Sequence, residues 1–257
     1  MQSLLEEYVL SQLIVYILTF ARVGTVMMIM PGIGSTFVSP NIRLVMALAF
    51  TVVLSPVTAQ YLPTDITNTE MVWLIMTEML IGFFIGTITR IFMAALDTAG
   101  MLISLNIGVS NAQIFNPQSA SQGSIMGAFL SLVGAVLLFT TDLHHMLIFG
   151  MIDSYKTFPA GDVIPDVGSM AQTIALAVSK SFAIGFYMAT PFIIVTLFLY
   201  IAMGVLGRLM PQIQVFVLAI PIQVMLGLLV MIMVFSTMML YWLNHYDEAI
   251  QLFFTKL

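Results

Sequence analysis

Residues 78–90 read EMLIGFFIGTITR, and this stretch decides what kind of fold the chain can adopt. Two charged residues, Glu78 and Arg90, stand at the ends of an uncharged and mostly apolar run. Gly82 and Gly86 lie between them at steps of four residues, so all four positions share one face of a helix. Such a face lets a second backbone approach closely inside a membrane. The stretch therefore predicts a membrane-embedded helix with a ridge of small residues.

The composition of the whole chain agrees with this prediction. Of its 257 residues, 60% are hydrophobic and 7% are charged, whereas soluble domains carry about 25% charged residues. So much apolar surface must face lipid or apolar partners. The length accommodates about six spanning helices of ~20 or more residues, with no separate soluble domain. We predict an all-α polytopic membrane protein that forms a single domain over residues 1–257.

Six apolar runs are long enough to span a bilayer. The segment 97–107 that follows the third run is too short to span alone, and it is interpreted either as a continuation of the third helix or as a half-helix. Arg43, Arg90 and Arg208 lie at alternate junctions, which predicts that both termini lie outside and the arginine junctions inside. The runs cover residues 8–30, 42–62, 71–96, 125–152, 170–207 and 212–243.

Several ionisable residues lie within these runs or near their edges. Such groups are costly in lipid and usually face protein or a water path. Three interpretations are open: a helix-packing ridge with charges near its ends, a proton or ion relay, and charges that pair with partner subunits. The packing ridge fits best, because no ladder of carboxylates accompanies the charges. The residues are Arg22, Glu78, Arg90, Asp97, Lys180 and Arg208.

The sequence offers little chemistry for catalysis or metal binding. It contains no cysteine, and its net charge of −5 leaves no basic surface for nucleic acid. His144 and His145 follow Asp142, but adjacent residues on a helix point about 100° apart. A zinc site needs three or four converging ligands, and the metalloprotease and hydrolase motifs are absent. We expect no enzymatic activity, no metal and no cofactor.

The segment 108–124, GVSNAQIFNPQSASQGS, is the one long polar interruption of the chain. Non-helical backbone at membrane depth is tolerated only inside protein or along a water-filled cavity. Phe115 supplies one bulky apolar group, and Pro117 restricts Asn116 to an extended conformation. These features favour a segment that lies inside protein or along a cavity. The alternative is a plain re-entrant or surface connection between the third and fourth long helices. An autonomous transporter usually has two halves with matching broken helices, and the second half of this chain offers no counterpart.

Several stretches of the sequence, taken together, resemble a known family. GVSNAQIFNPQS (108–119), FTTDLHHMLIFGMIDSYKTFPAG (139–161) and MPQIQVFVLAIPIQVMLGLLV (210–230) occur in this order, after FARVGTVMMIMPGIG (20–34) and NIRLVMALAF (41–50). Together they resemble the FliR family, the R subunit of the flagellar type III export gate, over nearly the whole chain. The corresponding subunit of virulence type III secretion systems shares this architecture and is the nearest alternative.

The resemblance implies particular partner subunits, a cellular location and a cargo. Members of the family assemble as a single R copy with several P and Q subunits into a funnel-like gate, built from helical hairpins that lie against P and Q neighbours as well as membrane lipid. The gate lies in the bacterial inner membrane, within the flagellar basal body and next to a larger export-gate protein. Unfolded flagellar proteins are its cargo. The family's plug, which closes the pore centrally, corresponds here to residues 108–122, with Gly108, Ser110, Asn111, Gln113, Phe115, Asn116, Pro117 and Gln118 as its principal members.

Overall fold

The computed structural model describes residues 2–34, 38–63, 67–110, 124–161, 166–210 and 215–256. These ranges contain seven α-helices, one short 3-10 helix at Ala59–Tyr61, and no β-strand. The prediction of an all-α fold is confirmed. The helices are α1 (Gln2–Ile29), α2 (Pro40–Thr58), α3 (Asn68–Ile107), α4 (Ile125–Thr140), α5 (Leu143–Thr157), α6 (Val167–Leu209) and α7 (Val215–Lys256).

Five of the helices are long and apolar enough to cross a membrane. A sixth span is possible if α4 and α5 are taken together, although they are bent by 75° with respect to each other. The prediction of about six long and partly broken helices is thereby confirmed. The five spans are Val9–Ile29, Pro40–Tyr61, Thr69–Ile107, Val167–Leu209 and Ala219–Gln251.

The structure resolves one point that the sequence left open and corrects another. Residues 97–107 continue α3 without a break, so they do not form a separate half-helix. The apolar run 125–152 is interrupted after Thr140, and Asp142 adopts a left-handed conformation with φ of 60°. A threonine pair followed by aspartate favours such a break, because these residues are poor helix formers.

The described chain divides into two compact units. The first comprises Met1–Phe92, Leu138–Val178 and Asp247–Leu257. In this unit α1 packs against α2. A core forms among α1, the segment that follows α2, the first part of α3, and α5 with the turn after it. The buried members of this core are Ile14, Val15, Leu18, Leu62, Leu74, Tyr155 and Ala160.

Glycines allow α3 to lie close to α1 in the first unit. A Cβ atom on Gly82 would lie 2.6 Å from the Arg22 carbonyl oxygen, and one on Gly86 would lie 2.9 Å from Cβ of Ile29. The small-residue ridge of α3 therefore packs against α1 of the same chain. Interior packing at this density leaves no room for an added methyl group without a backbone shift.

The second unit, Met93–Leu137 with Ser179–Tyr246, uses the same kind of crossing. A Cβ atom on Gly100 of α3 would overlap the backbone of Gly127 in α4, so Gly100 tolerates no side chain. A Cβ atom on Gly185 of α6 would lie 2.8 Å from the Ala95 carbonyl oxygen. Trp242 of α7 is fully buried in this unit. Small residues thus set the helix spacing here too.

We predict that Gly82→Ala destabilises the protein, whereas Gly204→Ala does not. The Gly82 methyl group would push α3 away from α1, and overpacking of this kind costs about 1–3 kcal/mol. Gly204 has no other atom within 4 Å of its added Cβ, so alanine there gains only helix propensity. Thermal denaturation of both variants in mild detergent, followed by size-exclusion chromatography, measures the difference. Equal midpoints for the two variants would contradict the close α1–α3 packing.

Candidate functional site

A buried ion pair lies at the centre of the first unit. The Arg22 and Glu78 side chains are both 0% exposed, and Nε of Arg22 lies 2.5 Å from Oε2 of Glu78. Nη2 of Arg22 donates a second hydrogen bond of 2.8 Å to Oε1. The contact is therefore a bidentate arginine–carboxylate pair, the geometry in which such pairs are strongest. It joins α1 to α3.

The remaining donors of Arg22 bind α5 and the turn after it. Nη1 donates to the Ser154 carbonyl oxygen at 2.9 Å and to its hydroxyl at 3.2 Å. Nη2 also donates to the Phe158 carbonyl oxygen at 2.8 Å, and the guanidinium carbon lies 3.9 Å from the centre of the Tyr155 ring. Each of the five N–H donors of the guanidinium thus has an acceptor. The charge is fully compensated without water.

This geometry bears on the alternatives for the intramembrane charges. A proton relay needs a chain of groups that exchange protons and reach water. Arg22 and Glu78 are instead enclosed and hydrogen-bonded to each other and to backbone. The arrangement suits a structural tie among three helices, which is the function we assign to this pair.

The other ionisable residues that the sequence singled out lie at the surface. Asp97 accepts a hydrogen bond of 2.5 Å from the Ser131 hydroxyl. Arg90, Lys180 and Arg208 are exposed on otherwise apolar helices and form no hydrogen bond or ion pair with any residue that the structure describes. The structure does not bring these four residues together with the Arg22–Glu78 pair. That they pair with partner subunits stays a prediction.

A second arrangement lies where α3 ends, in the second unit. Gly108 has φ of 82°, and its N–H donates to the carbonyl oxygens of Ser104 and Leu105 at 3.1 and 3.3 Å. The N–H of Ser110 also reaches the Ser104 carbonyl oxygen, at 3.3 Å. A residue of positive φ with such bonds is the usual helix C-terminal cap, and glycine adopts it without strain. Gly108 therefore stops α3 where the polar segment begins.

The start of α4 is bound to the same end of α3. The hydroxyl oxygens of Ser104 and Ser124 lie 2.6 Å apart, and the Ser124 hydroxyl donates to the Gly100 carbonyl oxygen at 2.9 Å. The N–H of Gly127 donates to the Ser124 hydroxyl at 3.1 Å, which caps α4. The two described ends of the polar segment 108–124 are thus held together by side-chain hydrogen bonds.

Two residues that the sequence analysis missed hold the end of α3 from the other side. The Asn106 carbonyl oxygen accepts hydrogen bonds from the Thr196 hydroxyl at 3.0 Å and from Nε2 of Gln223 at 2.5 Å. Both donors are buried, and they line a small cavity with Ile107 and Phe192. Thr196 and Gln223 are isolated polar residues inside apolar runs, and that signal could have identified them.

The sequence-predicted plug residues fall on both sides of the described boundary. Gly108 and Ser110 belong to the capped end of α3. The other plug residues lie outside the described residues, and their assignment stays a prediction. They are Asn111, Gln113, Phe115, Asn116, Pro117 and Gln118.

The helices and the buried polar ties define a polytopic helical membrane protein, and comparison with known proteins gives its family. A family model described as "Bacterial export proteins, family 1" matches residues 13–249. The flagellar biosynthetic protein FliR of Caulobacter vibrioides is 36% identical over 243 residues, which are 94% of this chain and 96% of the relative.

Two more distant relatives bear the same name. FliR of Aquifex aeolicus is 28% identical and covers 94% of this chain and 93% of its own length. FliR of Escherichia coli is 28% identical over 90% of this chain and 88% of its own length. The chain belongs to the FliR family of bacterial export proteins, which confirms the resemblance found in the sequence.

We predict that Glu78→Leu strongly destabilises the protein and that adding Arg22→Met restores part of the loss. Removing one member of a buried ion pair leaves an uncompensated charge and costs about 3–5 kcal/mol. Replacing both members removes that charge, although the Phe158 carbonyl oxygen then lacks its donor. Unfolding in detergent of the two single variants and the double variant measures the coupling. Arg90→Met, on the exposed face of α3, is the matched control. Additive losses would show that the pair is not the tie we assign.

Proposed function

We propose that this chain is the structural and gating R subunit of a flagellar protein-export channel. In this proposal one copy forms a pore with several P and Q subunits, and the segment 108–122 plugs the pore when it is closed. Membership of the FliR family, over residues 13–249, is the observation that carries the proposal. This membership makes the chain a membrane-embedded component of the flagellar export apparatus, and the pore and the plug are the further step.

The frame around the polar segment supports the plug. Gly108 ends α3 with a capped turn, and Ser124 holds the start of α4 against Ser104 and Gly100. Thr196 and Gln223 fix the last turn of α3 through the Asn106 carbonyl oxygen. A segment with both ends held can reach only as far as its length allows. A plug needs both of its ends to be held in this way.

The composition of the segment suits a path for unfolded protein. It carries no charge and is rich in serine, asparagine and glutamine. A neutral polar segment can hydrate when displaced, and it neither holds nor rejects cargo according to the sign of its charge. Phe115 is the one aromatic residue in it and is the proposed stopper. We place the assembly in the inner membrane, within the basal body, beside the larger export-gate protein.

The surfaces of the two long C-terminal helices suit contact with P and Q subunits or with lipid. Large apolar side chains are exposed along α6 and α7, and Ile232 and Met233 are 77% and 80% exposed. Exposed apolar area on this scale is found in proteins that meet a membrane or other subunits. The flagellar names of the relatives favour the flagellar system over the virulence alternative. No observation favours an autonomous transporter.

Deleting Gln113–Ser119 is expected to leave the protein in the assembly and to make the membrane leaky to small solutes. The physical reason is that the deletion removes Phe115 and Pro117 but keeps the capped end of α3 and the Ser104–Ser124 contact. Copurification with P and Q subunits from a mild detergent extract measures assembly, and uptake of a small solute by intact cells measures the leak.

Replacing the same seven positions with a Gly/Ser segment of equal length is the matched control for loop length. This variant is also expected to leak, because it lacks the stopper while keeping the connection. A deletion variant that assembles normally and adds no leak would refute the plug. Failure of the unaltered chain to copurify with P and Q subunits would refute the wider assignment.

A further inference from the structure

Three metal-binding side chains converge where α4 bends into α5. Asp142 stands at the bend with a left-handed backbone conformation and directly precedes the first helical residue, Leu143. An aspartate in this position usually accepts a hydrogen bond from a backbone N–H of the first turn. Here the carboxylate caps no backbone N–H, and its Oδ1 lies 3.4 Å from Nδ1 of His145.

His144 completes the group. Its ring centre lies 4.1 Å from that of His145. One potential ligand atom from each of the three residues lies within 4.8 Å of the other two. Nδ1 of His144 is buried and has no hydrogen-bond partner among the described residues. Two imidazoles and a carboxylate that caps no helix N–H therefore lie close together.

We propose that Asp142, His144 and His145 bind one zinc ion. Imidazole nitrogen and carboxylate oxygen bind zinc at about 2.0–2.2 Å, so tetrahedral ligands lie roughly 3–3.5 Å apart. The 3.4 Å between Oδ1 of Asp142 and Nδ1 of His145 is already within that range, and the other separations, at most 4.8 Å, would reach it by side-chain rotation. Such rotations are open to His145 and Asp142, whose side chains are 60% and 78% exposed. Water from the solvent-open side supplies the remaining coordination position.

The charge balance also suits a cation. The N-terminus of α5 carries a positive partial charge, which disfavours a cation, but the Asp142 carboxylate opposes it at the same place. Neutral imidazoles add no charge of their own. Zinc bound there would link the bend itself, through Asp142, to the first turn of α5, through the two histidines. It would thereby fix the bend between α4 and α5.

The sequence argument against such a site assumed that all three residues share one helix. Adjacent histidines on a helix point about 100° apart, which argued against their binding one ion. In the structure Asp142 precedes α5 in a left-handed conformation and its carboxylate lies beside His145. The ring centres of His144 and His145 lie 4.1 Å apart despite their adjacent positions on α5.

Equilibrium dialysis against zinc tests the proposal. The full chain, purified in mild detergent without a polyhistidine tag and stripped with a chelator, is expected to bind one zinc ion. His144→Gln, His145→Gln and Asp142→Asn are each expected to weaken binding at least ~10-fold, because loss of even an outer ligand partner costs that much. His245→Gln is the matched control: His245 lies on α7 beside the Tyr241 carbonyl oxygen, and its loss is expected to leave binding unchanged.

Copper(II) as a spectroscopic probe keeps the test decisive if a variant misfolds. The electron paramagnetic resonance spectrum of the unaltered protein with one equivalent of copper is expected to show coupling to two nitrogen nuclei. Each single histidine variant that elutes normally on size exclusion is expected to show one. The proposal is overturned if the unaltered chain binds no zinc, if its copper spectrum shows fewer than two nitrogens, or if only His245→Gln abolishes binding. These outcomes do not depend on the export function.

Discussion

The ion pair between Arg22 and Glu78 is the constraint on which the first unit depends. A buried charge is tolerated only when it is paired and its hydrogen bonds are satisfied. The pair achieves this because Gly82, one helical turn after Glu78, brings the α3 backbone against the Arg22 carbonyl oxygen. A bulkier residue there would move α1 away from α3 and lengthen the hydrogen bonds between Arg22 and Glu78. The glycine ridge and the ion pair therefore require each other, and α5 is bound through the donors that remain.

The second unit meets the same physical demand with neutral groups. Gly100 and Gly127 bring α3 and α4 into backbone contact. Hydrogen bonds to main-chain oxygens then fix the approach: Ser124 binds Gly100, and Gln223 binds Asn106. Apolar packing alone discriminates weakly between helix registers in a membrane, because lipid and side chains are equally apolar. A polar side chain directed at one particular carbonyl oxygen selects the register, because any shift leaves both partners unsatisfied.

The sequence was sufficient to predict the features that depend on local pattern. Apolar runs gave the helices, the glycines at 82 and 86 predicted a close crossing, and the polar composition of 108–124 predicted a break. The features that depend on which helix faces contact one another could not be predicted from the sequence. Arg22 and Glu78 are separated by 56 positions in the sequence, and nothing in either run identifies the other as its partner. The bend between α4 and α5 illustrates the same limit at short range, because the ligand atoms of Asp142, His144 and His145 lie close together although helical periodicity places the two histidines apart.

The side-chain hydrogen bonds at the end of α3 also bear on how the proposed plug would move. The cost of closing a loop arises mainly from bringing its ends together, and it grows slowly with length. The hydrogen bonds of Ser124 to the Ser104 hydroxyl and to the Gly100 carbonyl oxygen hold the start of α4 against α3 without any contribution from the residues between the two helices. In the proposed function, opening and closing would leave these end contacts unchanged. A small free-energy difference suffices to shift such an equilibrium, so arriving cargo could displace the segment without unfolding α3 or α4. In the proposed function, ends that stay in place would let the displaced segment return, as resealing of the proposed channel requires.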